Sequence, residues 1–250
     1  MPGAGSVSWI GHSTVLLELD GVRLLTDPVL RAHVGHLRRL SHVELPPLAD
    51  IDAVLVSHGH LDHLDPPSLA RLGRRQRIVV PSGAAGPLLR RRFERVEQIG
   101  VGDTVRVGTV VVRAVHANHP GRRLGPLSPA APALGYLVAG SRRVYFAGDT
   151  DLFAGMADVS PGLDLALLPI AGWGPRVGPG HLDPRRAAEA LRLLRPRVAV
   201  PIHWGTLAPV WPGGAGASPG ELVRAFRRHA RELAPAVEVR VLARGCSLHL

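Results

Sequence analysis

Apolar residues in this chain gather in short runs broken by turn residues, and few stretches show helical spacing. Residues 7–10, 15–19 and 22–26 read as strands, with Asp20-Gly21 as a hairpin-turn signal between the second and third. Pro28 ends the third run and leaves Asp27 at a strand end. The weakly periodic segment 31–50, with Pro46-Pro47, predicts a loop holding at most a short helix. A buried strand at 54–56 follows, then a short helix opened by Asp65-Pro66 and running through Leu72, a strand at 78–81, a helix within 83–93 and a strand at 96–99. Further strands are predicted at 104–115, 134–138, 144–147, 163–169, 197–202 and 237–242. Two helices are amphipathic, one capped by Asp183-Pro184 and one over 218–233, while 118–132, 171–181 and 205–217 read as loops.

Two strand-rich halves with helices predict an α/β chain in which two mixed sheets pack face to face between helical layers. The expectation is one domain over residues 1–250, since no linker or internal repeat interrupts the pattern. The single Cys246 excludes an internal disulfide, and the N-terminal residues show no basic segment followed by an apolar one, so a cytoplasmic protein without stable membrane anchoring is expected. The formal charge of +10 could attract nucleic acid. All 30 basic residues are Arg and they are dispersed without aromatic interleaving, so no nucleic-acid partner is expected; the sequence leaves homo-oligomerisation open.

Chemistry concentrates in Val54-Leu55-Val56-Ser57-His58-Gly59-His60-Leu61-Asp62-His63-Leu64-Asp65. His58, His60, Asp62 and His63 lie within six residues after a buried strand, a density of nitrogen and oxygen ligands that points to metal. In an extended turn His58 and His60 project to one side, with Asp62 and His63 coming from the following bend, so two pairs can face two adjacent ions.

The H-x-H-x-D-H pattern of these residues resembles that of the metallo-β-lactamase-fold hydrolases, which implies the αβ/βα sandwich. A narrower resemblance is to bacterial relatives of N-acylphosphatidylethanolamine phospholipase D. It rests on Leu24-Leu25-Thr26-Asp27-Pro28, Glu44-Leu45-Pro46-Pro47, residues 57–65, His181-Leu182-Asp183-Pro184 and Ile202-His203-Trp204-Gly205-Thr206. The ascorbate-6-phosphate lactonase group is a more distant similarity. The closer resemblance implies a zinc phosphodiesterase in which Asp27 orients a ligand histidine and His181 donates a hydrogen bond or transfers a proton near the substrate. The chain departs from that pattern in lacking the aromatic residue after His119 and an aromatic-rich amphipathic helix for a bilayer.

A dinuclear centre needs further ligands, and Asp149 and His203 follow the strands 144–147 and 198–202. Asp149 resembles the family's bridging aspartate and His203 its final histidine. His116 and His119 are both candidates for the third histidine; His119 is preferred because it lies where the chain leaves the strand. The expected set is His58, His60 and His119 on one ion and Asp62, His63 and His203 on the other, with Asp149 bridging. Zinc suits these donors, with manganese or iron as alternatives. Two such ions would activate a bridging water as hydroxide, making Asp62, Asp149, His181 and Asp27 the catalytic group. Arg122, Arg123, Trp173 and Arg176 in the two long loops are expected to contact a small or lipid-like anionic substrate. The expected activity is phosphodiester or similar ester hydrolysis of phospholipase D type. The alternatives are a lactonase or carboxylic ester hydrolase, a nuclease of the same fold, and a non-catalytic metal-binding protein. His12 and Asp65 are open between a place at the site and a turn or cap, and His36 is read as ordinary.

Overall fold

The structure is a computed structural model and describes residues 5–40, 45–84, 87–121, 131–159, 161–173, 177–211 and 218–250. Strands β1 (Ser6–Gly11), β2 (Thr14–Leu19) and β3 (Val22–Thr26) form an antiparallel meander. Short strands β4 (His33–Val34) and β5 (Leu37–Arg39) pair with each other around Gly35-His36. Strand β6 (Ala53–Leu55), helix α1 (Pro66–Ala70), β7 (Arg77–Pro81), α2 (Pro87–Arg92) and β8 (Arg95–Ile99) alternate as predicted, and the strands run parallel to β3 and to one another.

Strands β9 (Thr104–Val107), β10 (Val110–His116), β11 (Leu134–Ala139) and β12 (Arg143–Phe146) follow as antiparallel neighbours. Strand β13 (Leu165–Pro169), helix α3 (Pro184–Leu194) and β14 (Val198–Ile202) continue the second sheet in parallel from β12. The chain ends with β15 (Leu207–Pro209), helix α4 (Pro219–Leu233), β16 (Glu238–Val239) and β17 (Ser247–His249). The strand orders are β17-β1-β2-β3-β6-β7-β8 and β16-β14-β13-β12-β11-β10-β9, with β15-β5-β4 as a small third sheet.

Period-two alternation explains the layers. In the second sheet Val144 and Phe146, Leu165 and Leu167, and Val198 and Val200 face the first sheet's Val15, Leu17, Leu24 and Leu55. Their neighbours Tyr145, Ala166, Leu168 and Ala199 face outward to Ala187, Leu191 and Phe226 of α3 and α4. On the other side Leu16, Leu25, Val54, Ile78 and Val80 pack against Leu69 and Leu89 of the short helices. The result is the expected αβ/βα sandwich.

Several local expectations change. No helix forms among the described residues of 31–50; β4 and β5 form instead because β5 finds a partner in β15, inside a stretch that reads as loop. The run 104–115 is split into β9 and β10 by Gly108 at φ 52°. The strand over 237–242 shrinks to β16, and the true last strand, β17, is the edge partner of β1. Each change comes from a long-range pairing or a tight turn that apolar patterning does not encode.

Candidate metal centre

Strand β6 carries the chain into the site, where His58, Asp62 and His63 are buried and His60 half-buried. Asp27 follows β3, His119 follows β10, Asp149 follows β12 and His203 follows β14, so the candidates lie past strand carboxyl ends at one edge of the sandwich. Local backbone geometry serves this convergence. Asp27 and His203 adopt left-handed φ of 34° and 62°, as does His12 at 54°. Gly148, at φ 61°, turns the chain into Asp149, and a Cβ there would fall 2.6 Å from Ser57 Cβ.

The donors meet in two overlapping groups. His58 Nε2 lies 2.9 Å and His119 Nε2 3.2 Å from His60 Nδ1. His63 Nε2 lies 3.3 Å from His203 Nε2 and 3.7 Å from Asp62 Oδ2. Asp149 stands between the groups, with Oδ2 3.2 Å from His63 Nε2 and Oδ1 3.1 Å from His203 Nε2. Ligand atoms of His58, His60 and His119, and of His12, Asp62, His63 and His203, are each within 4.8 Å of one another.

Hydrogen bonds on the outer ring nitrogens decide where the lone pairs point. His119 Nδ1 donates to the Gly180 carbonyl at 2.8 Å and His203 Nδ1 to the Ala171 carbonyl at 2.6 Å. His63 Nδ1 donates to Asp27 Oδ2 at 2.7 Å. The single Ser57 hydroxyl proton goes to Asp27 Oδ2 at 2.6 Å, so Ser57 Oγ accepts from His58 Nδ1 at 3.0 Å. With Nδ1 donating, the tautomer set for His58, His119 and His203 is the one whose Nε2 faces inward toward one another's neighbours. Asp149 Oδ1 is buried among them with no donor in hydrogen-bonding geometry. Lone pairs and a carboxylate oxygen crowded at 2.9–3.3 Å fit a cation between them.

Electrostatics agree. Burial, then neighbouring imidazoles, pushes the pKa of His58 and His60 down, and burial takes that of His119 to about 4, leaving all three neutral. For Asp62 and Asp149 burial alone would raise the pKa, but His63 and His12 on the first and His203 and His63 on the second hold both well below the usual range. Burial also opposes a charge on His63, yet Asp149, Asp62 and Asp27 raise its pKa well above the ordinary value. A cation on Asp62 and Asp149 would compete with that proton. On His181 burial is outweighed by Asp149 and the carbonyls of Gly178 and Pro179, which raise the pKa; its Nε2 is 3.4 Å from Asp149 Oδ2.

A cavity of about 400 Å³ opens onto the cluster, with His60, Asp62, Asp149 and His181 on one side and Val34, Leu37, Leu61, Trp173 and Val177 among its apolar walls. His36, read as ordinary from its sequence context, also lines it and packs on Trp173 and Trp211 at ring-centroid distances of 5.1 Å. Arg122, Arg123 and Arg176, and Glu44 of the family-like motif, lie outside the described residues. His116 is exposed with its ring edge-on to Phe153, away from the cluster. Asp65 caps α1 through Ser68 and pairs with Arg31, its partners at 2.5–3.1 Å, and none of these is a ligand imidazole. Ser57, unnoticed in the sequence, joins Asp27 to His58; only its position before the histidines could have signalled it.

Residues 22–204 match the beta-lactamase superfamily domain. The chain is 33% identical over 250 residues to a metal-dependent hydrolase of Methanopyrus kandleri, covering 96% of this chain and 97% of that one. It is 33% identical over 227 residues to an N-acyl-phosphatidylethanolamine-hydrolyzing phospholipase D of Caenorhabditis elegans, covering 80% of this chain but 63% of the nematode protein. Igni18, a metallo hydrolase of Ignicoccus hospitalis, shares the fold with a TM-score of 0.74 at 24% identity, covering 99% of both chains.

Proposed function

Because the chain belongs to the beta-lactamase superfamily and is a metal-dependent hydrolase of that fold, we propose that it hydrolyses a phosphodiester or similar ester in a small or lipid-like molecule. His58, His60 and His119 would hold one ion and Asp62, His63 and His203 the other, with Asp149 shared. The observation that carries this reading is the inward convergence of ring nitrogens whose opposite nitrogens are already hydrogen-bonded. Zinc suits the imidazole-rich set, and bound ions supply Lewis acidity and water activation.

The chain's own residues supply the remaining functions. Asp27 keeps the His63 Nδ1 proton outward, which fixes Nε2 toward Asp149. His181 presents Nε2 to Asp149 at the cavity, a position from which a proton could reach a leaving oxygen. Leu61, Trp173 and Val177 offer an apolar wall. That wall is in keeping with the lipid substrate in the nematode relative's name. Arg122, Arg123 and Arg176 are proposed as the groups that meet an anionic head.

A lactone or carboxylic ester is the second reading, favoured by the uncharged side chains of Val34, Leu37, Leu61 and Trp173. Metal analysis of purified protein with rates on bis(p-nitrophenyl) phosphate and on a lactone series tests both. Metal-dependent phosphodiester cleavage is expected. Faster lactone opening selects the second reading, and metal-replete protein inactive on both overturns the proposal.

A further inference from the structure

His12 reaches the second group of donors without belonging to the seven residues assigned above. Its Nε2 lies 2.9 Å from Asp62 Oδ2, and since an ionised carboxylate only accepts, the ring is the donor. His12 is 2% exposed, and its ring packs over that of His203 at a centroid distance of 3.8 Å.

The turn that carries His12 does not need an imidazole. Its backbone N–H donates to Thr206 Oγ1 at 2.8 Å, and its carbonyl accepts from Trp9 Nε1 at 2.9 Å and from the His203 N–H at 2.9 Å. These bonds fix the turn whatever the side chain, and φ of 54° makes a non-glycine residue there costly. A buried polar ring retained at such a position calls for a partner, and Asp62 is the one the structure supplies. Asp62 in turn lines the cavity next to Leu61, and His12 Nε2 is the side-chain donor within hydrogen-bonding distance of its Oδ2.

We propose that His12 is a positioning residue for Asp62. Its Nε2–H holds Oδ2 in one orientation, leaving the remaining lone pairs of the carboxylate for the cation shared with His63 and His203. The inference rests on the dinuclear reading above. It makes the centre asymmetric: one half built from three imidazoles, the other from two imidazoles and a carboxylate that must itself be held in place.

Zinc titration of the full chain against a competing chelator tests this, together with absorption spectra of the cobalt-substituted protein. His12→Phe, which keeps the ring volume and removes the donor, is expected to weaken one metal equivalent by ~10–100-fold, leave the other unchanged and alter only part of the cobalt spectrum. His12→Gln, whose amide can reach Asp62, is expected to recover most of that loss. If His12→Phe does not fold, His12→Asn, too short to reach Oδ2 but tolerant of the left-handed backbone, gives the same contrast. Parent-like binding of both equivalents by the donor-less variant overturns the proposal, as does equal weakening of both. A glutamine variant as weak as phenylalanine also overturns it, because His12 would then be a ligand. Failure of the parent protein to bind zinc would instead refute the dinuclear reading.

Discussion

Asp27 Oδ2 accepts a hydrogen bond from His63 Nδ1 at 2.7 Å, with the two residues 36 positions apart and both fully buried. Asp27 Oδ1 meanwhile accepts from the Ser57 N–H at 2.7 Å, so both oxygens act as acceptors. An amide has one acceptor and cannot replace both. Asp27→Asn should therefore lower metal affinity by ~10–100-fold while the helices and sheets remain, as checked by chelator competition and circular dichroism.

Metal removal should loosen the whole molecule. An ion that binds only the folded chain stabilises it by about 2.7 kcal/mol at a concentration 100 times its dissociation constant. For a chain of this size each kcal/mol shifts Tm by about 2–4 °C, so scanning calorimetry before and after chelation should show a drop of about 5–10 °C. An unchanged Tm would mean that no ion bridges these donors.

Trp173 and Leu61 line the cavity beside His60, Asp62 and Asp149. With substrate seated in this cavity as proposed, truncating Trp173 to Ala would remove apolar contact in ground and transition states alike. KM should rise about tenfold with kcat nearly constant, and the loss should grow with the length of the substrate's apolar group. Steady-state kinetics on a series of p-nitrophenyl esters of increasing chain length measures this.

Asp65 gives the contrasting case. Its carboxylate caps α1 through the Ser68 N–H at 3.1 Å and pairs with Arg31 Nε and Nη2 at 2.9 Å each. Asp65→Ala should cost about 1 kcal/mol in urea unfolding, from the lost cap and a partly exposed ion pair, with zinc affinity unchanged.

Acid stability should depend on Asp20, whose Oδ2 accepts from the Ser141 N–H at 2.6 Å and ties the β2–β3 turn to the β11–β12 turn. Hydrogen bonds from Ser141 lower its pKa below the usual carboxylate value. The stabilisation is therefore complete above about pH 4, the unfolded value, and is lost as pH falls through the lower folded value. Urea midpoints for the parent and Asp20→Ala should differ at pH 6 and converge in strong acid.

The sandwich was legible because β12, β13 and β14 alternate two apolar faces, and the parallel order from β6 to β8 because helix signals such as Asp65-Pro66 separate the strands. The candidate donors were legible because each stands just past an apolar run, as Asp149 does after Phe146 and His203 after Ile202. β5, β15 and β17 were not, since each is short and held by a partner distant in sequence. His36 escaped and His12 stayed open for a related reason: what distinguishes them is a neighbour, Trp173 or Asp62, that no local spacing reveals.

His63 and His203 are 140 positions apart, and the first follows a strand of one sheet while the second follows a strand of the other. During synthesis the four residues at 58–63 leave the ribosome long before β14, so the donor set is complete only after the second sheet has docked. Metal uptake followed in real time would thus mark the closing of the two halves, serving as a clock for the last step of folding.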